Sequence, residues 1–467
     1  MADRMLADIS GPDLLTPIQR EFVETVINGE LKNIFLTGCA GSGKTVVATL
    51  TAKTLKTKRN KSVQLLTYTK FLKKYIRDHF ARKNQDLSND INHFQEWVNN
   101  SGNSKAELAI VDECQDFNSV MIRKTIEKSE HQIWCGDFNQ NIYASTFNDS
   151  GFSSILSLNL NQTGINRFHF DTNFRNSIAI AQLAKCFISF NSSIDKEKNL
   201  KEKQMNFIRP IINNTEQSDT SRNQPNTIIE ANSEDEEYAA IAKKIKYIQE
   251  NERGYKQIVI VSAHHGKLDE IGKNLQYHGI EFERYHSLSS SQSEPQINLA
   301  NPDLVLLCPI HTMKGFECDY LFYPKTEEFH QDFGRWYNDY ALDDEQKERL
   351  KKNLLFMLFT RAKKRIYCSY VNKNDSVVWN EIKNYLDEIN VNKHIRFISA
   401  SDEVDADLKS EIQIDKDIKE DKIDLEKDWI LSDPETQYFN KEEITNSKNE
   451  DNKFSKLNDD DDLDLLF

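Results

Sequence analysis

The chain has 467 residues, enough for two or three domains with their own cores, and is 38% hydrophobic and 29% charged, a globular composition. The opening MADRMLADIS lacks an apolar signal core and no run approaches 18 apolar residues, so a cytoplasmic protein without a membrane partner is expected. Residues 401–467 carry 23 acids against nine lysines and residues 1–400 balance at 51 of each sign, so the net charge of −14 does not exclude a nucleic-acid partner.

In chain order, the strand-like NIFLT (33–37) runs into GCAGSGKT (38–45) and then the helix-like VVATL. Strand, glycine-rich turn and helix start together define a phosphate-binding loop. Gly38, Gly41 and Gly43 let backbone N–H groups turn around a polyphosphate, with Ser42 between them. Lys44 is placed to reach the β- and γ-phosphates of ATP, and the Thr45 hydroxyl to ligate Mg²⁺. After SVQLLTYT and the helix-like KFLKKYIRDHF, the strand in ELAIVDECQD ends in two acids. Asp112 suits the metal shell, and Glu113 suits orienting and deprotonating a water. QIWCGD closes this series, and the β/α alternation implies a parallel sheet covered on both faces. The first domain is placed at 1–165.

A second α/β series begins near Arg167 with FHFDTN and runs on to the RIYCSYV strand, giving a domain at 166–400 without its own phosphate loop. The polar stretch from Lys201 to Asn226 reads as a surface excursion. Seven scattered cysteines, with no CxxC pair, argue for a reducing compartment and against zinc or disulfides. The acidic tail at 401–467, ending NDDDDLDLLF, reads as largely disordered.

Two distant arginines complete the pattern, Arg175 in TNFRNS and Arg361 in LFTRAKKR. A nucleotide held between two α/β lobes needs cations that reach its γ-phosphate across the cleft. At this point the chain resembles the UvrD/Rep-type superfamily 1 DNA helicases, with segments in matching order from Gln19 to Arg361. The resemblance implies two RecA-like domains with ATP in the cleft between them. TPIQREF is similar to the adenine-reading segment and assigns that role to Gln19. LLTYTK and INHFQEW resemble strand-contact segments, implying nucleic-acid contacts at Tyr68, Thr69, His93 and Phe94. CGDFNQNIY resembles the coupling segment, with Gln140 sensing the γ-phosphate and Tyr143 near bases. TNFR places Phe174 on adenine and Arg175 on the γ-phosphate. HTMKGFE places Glu317 near the ribose and His311 beside the strand. Lys314, with Lys70, Lys73, Lys74, Lys363 and Lys364, is a candidate groove cation.

The chain departs from that family's pattern at Ser145, where an aromatic is usual and Phe147 is the nearby substitute, and at Pro309, where a threonine is usual. Both accessory-domain insertions are nearly absent. The expected function is an ATPase and 3′ to 5′ translocase or helicase on single-stranded DNA, with RNA the weaker candidate. The alternative is a nucleotide-gated regulatory or scaffolding subunit in a defence or mobile-element complex. Its protein partner would dock on the tail, whose end resembles the acidic tip of bacterial single-strand binding proteins.

Overall fold

The computed structural model describes residues 15–70, 72–73, 76–77, 90–100, 104–143, 166–187, 209–210, 225–251, 256–263, 265–284, 305–337, 340–371, 376, 378–383 and 395–400. The acidic tail, Lys74, Ser145 and Phe147 lie outside the described residues, as do most of KFLKKYIRDHF and of the 201–226 stretch.

In the first lobe, α1 (Pro17–Asn28) starts on a capping box in which Thr16 and Gln19 bond each other's backbone N–H. Pro17 takes the first helical position, where its missing N–H loses no bond. The chain continues through β1 (Ile34–Gly38), α2 (Lys44–Arg59), β2 (Val63–Thr67), β3 (Ile91–His93), α3 (Phe94–Asn100), β4 (Ala106–Val111), α4 (Ser119–Lys128), β5 (Ser129–Gly136) and β6 (Asn166–Phe170). The sheet order is β3-β2-β4-β5-β1-β6, with every neighbouring pair parallel. Alternate residues serve opposite faces. Leu36, Ile110 and Ile133 pack with Val47 on one side, and Phe35, Val111 and Trp134 pack with Phe117 on the other. This double coverage is why the strands read as nearly continuous apolar runs.

The second lobe opens with β7 (Thr172–Asn173), α5 (Ile178–Lys185) and β8 (Arg209–Pro210), β8 pairing with β7. It continues with β9 (Asn226–Glu230), α6 (Glu234–Asn251), β10 (Ile258–Ser262), α7 (His265–Tyr277), β11 (Phe282–Arg284), β12 (Val305–Pro309), β13 (Cys318–Tyr323), α8 (Phe329–Tyr337), α9 (Asp344–Phe359), β14 (Ala362–Tyr370) and β15 (Ile395–Ser399). Its seven strands, also all parallel, run β11-β12-β10-β13-β14-β9-β15. Asp343 and Gln346 form the capping box that starts α9. Both lobes are thus RecA-like parallel-sheet α/β domains, and both sheets belong to one compact unit. Among the described residues no helix is long and apolar enough to cross a membrane.

Three expectations change. The boundary at 165/166 cuts the first sheet, because β6 pairs with β1 through Ile34↔Asn166 to Gly38↔Phe170; the switch of lobe falls just after Phe170. Asn226 is no part of a surface excursion, since it is fully buried, starts β9 and donates to the Ala179 carbonyl at 2.8 Å. The strand β15 had no counterpart in the sequence reading, yet it extends the second sheet beyond β9.

The topology sets where chemistry gathers. In open parallel sheets ligands bind beyond the carboxyl ends of strands. Gly38 ends β1, Asp112 follows β4 and Asp137 follows β5. The second lobe answers from the opposite ends of its strands: Glu317 and Arg361 stand immediately before β13 and β14, whose first residues Cys318 and Ala362 are register partners.

Candidate functional site

The loop from Gly38 to Thr45 has the shape of an anion cradle. Gly41 and Gly43 adopt φ of 72° and 82°, a region that side chains resist. A Cβ on Gly41 would also stand 2.5 Å from Asn173 Oδ1, so glycine is required there twice over. Gly43 caps α2 without a side-chain bond, leaving the helix's first N–H groups facing the loop. Lys44 is buried and donates to the carbonyls of Gly38 at 2.8 Å and Cys39 at 2.9 Å. Among the described residues the buried Ser42 hydroxyl has no hydrogen-bond partner. Gln19 braces the loop, its Nε2 donating to the Ser42 carbonyl at 3.0 Å. Phe174, half-buried, donates its N–H to the Gly41 carbonyl at 3.0 Å.

Behind the cradle, Thr45 donates to Asp112 at 2.7 Å. A hydroxyl and a carboxylate held together are the hard-oxygen donors Mg²⁺ takes beside phosphate, so Thr45 and Asp112 fit that ion. Burial, then the charge of Glu113, pushes the Asp112 carboxyl up to about 6. Glu113 sits at φ 54°, a strained conformation for a side-chain-bearing residue. Its own burial is outweighed by Lys314, Arg361 and Lys44, which hold it below the usual carboxylate range. The two adjacent acids therefore differ in direction, Asp112 raised and Glu113 lowered.

Cations converge from the second lobe. Glu317 binds Arg175 through Nε and a terminal nitrogen, and takes Lys363 at 2.9 Å on its other oxygen. Against its burial, Arg175 and Lys363 hold Glu317 down at about 2. Arg361, buried, donates to Gln140 Oε1, while Gln140 Nε2 donates to Asp137 at 2.7 Å. Burial, then the charge of Arg175, lowers Arg361 to about 10. Two mutually repelling guanidiniums beside a phosphate loop mark a place for an anion.

The coupling segment is gripped by the second lobe at three successive carbonyls. Lys314 donates to that of Gln140, Asn353 to that of Asn141 at 2.8 Å, and Tyr337 to that of Ile142 at 3.0 Å. Ile142 is fully buried in the second lobe's core with Cys39 and Ala40, worth about 1.5–3 kcal/mol for a side chain of its size. Since the Tyr337 hydroxyl spends its proton on Ile142, His311 Nε2 is the donor of their 2.7 Å bond.

Strand-contact candidates divide. Tyr68 and Tyr143 are half-buried with rings 4.8 Å apart, Thr69 is half-buried and caps the Leu72 N–H, and Lys70 is exposed. His93 is half-buried, and burial lowers its pKa. Phe94 does not face a groove: it is 3% exposed and packs edge-on to Phe117 inside the first lobe. Lys314 is not a groove cation in this structure either, since it is 2% exposed and ion-paired with Asp116. Burial pushes Asp116 up to about 7 against the pull of Lys314. Lys364 is buried, Lys73 pairs with Glu96 and Lys363 with Glu317.

Asp116, Asn353, Tyr337, Asn173 and Asn176 escaped the sequence reading. One signal was available: Asn353 interrupts the apolar face of α9, where an amide needs a partner.

Two parallel-sheet lobes, with a phosphate loop on one and arginines from the other closing on it, define a helicase-type nucleotide-binding fold. The family model of the Schlafen group 3, DNA/RNA helicase domain matches residues 31–371. The chain belongs to that family. No curated protein matches it. Among solved structures it is similar to S. cerevisiae Dbp5 bound to RNA and ADP BeF3 (11% identity, 85% of this chain, 93% of that one, TM-score 0.46). A variant of S. cerevisiae Dbp5 bound to a Gle1 variant and IP6 is similar at 11% identity, with coverage of 86% and 92% and a TM-score of 0.49. The C-terminal domain of a possible DNA helicase from Lactobacillus plantarum WCFS1 is similar at 12% identity, with coverage of 48% and 98% and a TM-score of 0.27.

Proposed function

We propose that the protein is an ATPase that moves along single-stranded DNA in the 3′ to 5′ sense, a compact counterpart of the UvrD/Rep-type helicases. One observation carries this reading: Arg361 from the second lobe meets Gln140 of the first, whose amide is in turn bonded to Asp137 beyond the end of β5. Lys44 exchanges its two loop carbonyls for the β- and γ-phosphates. Thr45 and Asp112 hold Mg²⁺, which when bound neutralises phosphate oxygens. Glu113 orients the attacking water and takes its proton. Arg175 and Arg361 stabilise the charge on the γ-phosphoryl group, with Gln140 reporting its presence to the coupling segment. Gln19 and Phe174 face the adenine, and Glu317 the ribose. Tyr68, Thr69, His93, Tyr143 and His311 line the strand path, and lobe closure drives the step.

A second reading, a nucleotide-gated regulatory subunit with little unwinding, is favoured by how soon α3 gives way to β4: only residues 101–105 separate them. No accessory domain fits in that interval.

The test is ATP turnover by the full chain with and without single-stranded DNA or RNA, beside Lys44→Ala and Glu113→Gln. Strand-stimulated turnover abolished by both substitutions is the expected result. Turnover indifferent to either strand ends the translocase reading and leaves the regulatory one.

A further inference from the structure

Of the two arginines, Arg175 is sequence-adjacent to Asn176, a residue with no role in the site as described so far. Asn176 is 5% exposed, and its Nδ2 donates to the carbonyl of Thr360 at 3.0 Å and to that of Ala362. Those are the residues on either side of Arg361. Carbonyls only accept, so the amino end of Asn176 must face them and its oxygen must face away. That oxygen accepts from Asn173 Nδ2 at 2.8 Å. Asn173 Oδ1 in turn accepts the backbone N–H groups of Arg175 at 2.9 Å and Asn176 at 3.1 Å. Each amide thus has one orientation, and the relay is satisfied at both ends. Arg175 adds a bond to the same Thr360 carbonyl at 3.3 Å, and Ser177 reaches the Lys364 carbonyl at 3.4 Å.

We infer that Asn176 is a positioning residue that clamps the backbone on both sides of Arg361 and so holds the two guanidiniums at one fixed separation over the phosphate loop. Like charges brought together in a buried place drift apart unless the backbone beneath them is held. The Arg361 carbonyl already accepts the Cys318 N–H at 3.0 Å, and its side chain bonds Gln140 Oε1 and the Met357 carbonyl; Asn176 adds a tie from outside the sheet on the two flanking carbonyls. The clamp also reaches the nucleotide loop, since Asn173 Oδ1 lies against Gly41 and Phe174 bonds the Gly41 carbonyl.

The inference rests on the hydrolytic reading above, and its test separates the two. Asn176→Ala and Asn176→Asp, the second keeping the volume but losing the donor, are compared with Arg361→Ala in the full chain. Either substitution is expected to lower kcat for Mg·ATP by about 10²-fold, the cost of a misplacement near 1 Å, with KM nearly unchanged. Adding Asn176→Ala to Arg361→Ala should cost little further, because the clamp then has no second guanidinium to hold at a set distance from Arg175. Hydrogen exchange in residues 357–364 should quicken in both Asn176 variants whether or not ATP is turned over. A wild-type kcat in Asn176→Ala, a large further loss on top of Arg361→Ala, or unchanged exchange overturns the clamp. A wild-type chain that hydrolyses no ATP overturns the proposed function, and the exchange measurement still decides the clamp.

Discussion

The two lobes are built alike yet bring opposite charges to the cleft. The first lobe supplies buried acids from beyond the carboxyl ends of its strands, Asp112, Asp116 and Asp137, each pushed up by burial. The second supplies Arg175 from just after β7, Lys314 and Arg361 from the segments that lead into β13 and β14, and Lys363 from the second position of β14. Only the first has the glycine loop. What the contrast teaches is that neither lobe is electrostatically complete: the first lobe's acids are costly without the second's cations, and while Glu317 pairs Arg175 and Lys363, Arg361 and Lys314 find their partners on the first lobe. A site divided this way responds to a nucleotide by changing how the lobes meet.

Removing the second lobe's contribution should have the largest effect. Arg361→Ala is expected to lower ATP turnover by about 10³–10⁵-fold, the usual worth of such a finger, while nucleotide affinity measured by titration falls far less. Equal losses in affinity and turnover would make the residue a simple binding cation and erase the division of labour between lobes.

The next effect tests the join itself. Lys314 and Asp116 form an ion pair between lobes, with side chains 1% and 0% exposed. Asp116→Ala leaves Lys314 buried without its counter-charge, a change that costs about 3–5 kcal/mol in comparable buried pairs. Thermal melting of the full chain should register it as a large loss. The paired replacement Lys314→Met with Asp116→Leu should recover much of it, since no charge is then left unpaired. Melting that is unaffected by Asp116→Ala would mean the lobes meet loosely and the contrast has no mechanical consequence.

The same division explains what was legible in the chain. The phosphate loop, the strand ending in Asp112 and Glu113, and the 16-residue helix α9 with its Asp343 cap are local patterns, each specified by one continuous run of chain. Which sheet β6 joins is decided by pairing with β1, more than a hundred residues upstream, and no local pattern holds that information. Exposure was lost for the same reason. Phe94 and Lys314 occupy segments that read as strand contacts, but Phe117 and Asp116, distant in the case of Lys314, cover them. Asn176 was invisible because the carbonyls it bonds lie nearly two hundred residues away, and Asn173 because what it orients is Asn176.

A smaller effect is a pH dependence that arises within the second lobe. Glu317 and Glu237 are both buried in the second lobe, but Glu317 has two cations and sits near 2, while burial pushes Glu237 up to about 7, past the help of Ser369 and the Lys325 N–H. Glu237 is therefore protonated in the fold at low pH. Its stabilising contribution is complete below its ordinary 4.5 and is lost as pH rises through about 7. The sum is on the order of 3 kcal/mol. Glu237→Gln should flatten the fall in melting temperature between pH 5 and 8. Glu317 has the opposite sign, its contribution being present above 4.5 and lost only as pH drops toward 2. A fall that survives Glu237→Gln assigns it to other groups, Asp116 first.

The smallest effect concerns the proposed strand path, where the first lobe's Tyr68 lies 4.8 Å from Tyr143 at an interplanar angle of 43°. The two rings occupy each other's faces, and Lys314 stands 5.4 Å over the Tyr143 ring. A base that stacks here must extend this pair or part it, and a stacking platform contributes about 1–3 kcal/mol per base. Tyr68→Ala should therefore weaken single-stranded DNA binding within that range, measured by fluorescence anisotropy at one fixed salt concentration because backbone contacts depend on ionic strength. Tyr68→Phe should bind as wild type, since the hydroxyl plays no part in stacking. Turnover without a strand should not change in either variant, because the rings against Tyr68 are those of Phe117 and Tyr143, outside the phosphate loop. If Tyr68→Ala binds DNA as tightly as wild type, the aromatic pair is packing rather than a platform, and the strand must cross the lobes elsewhere.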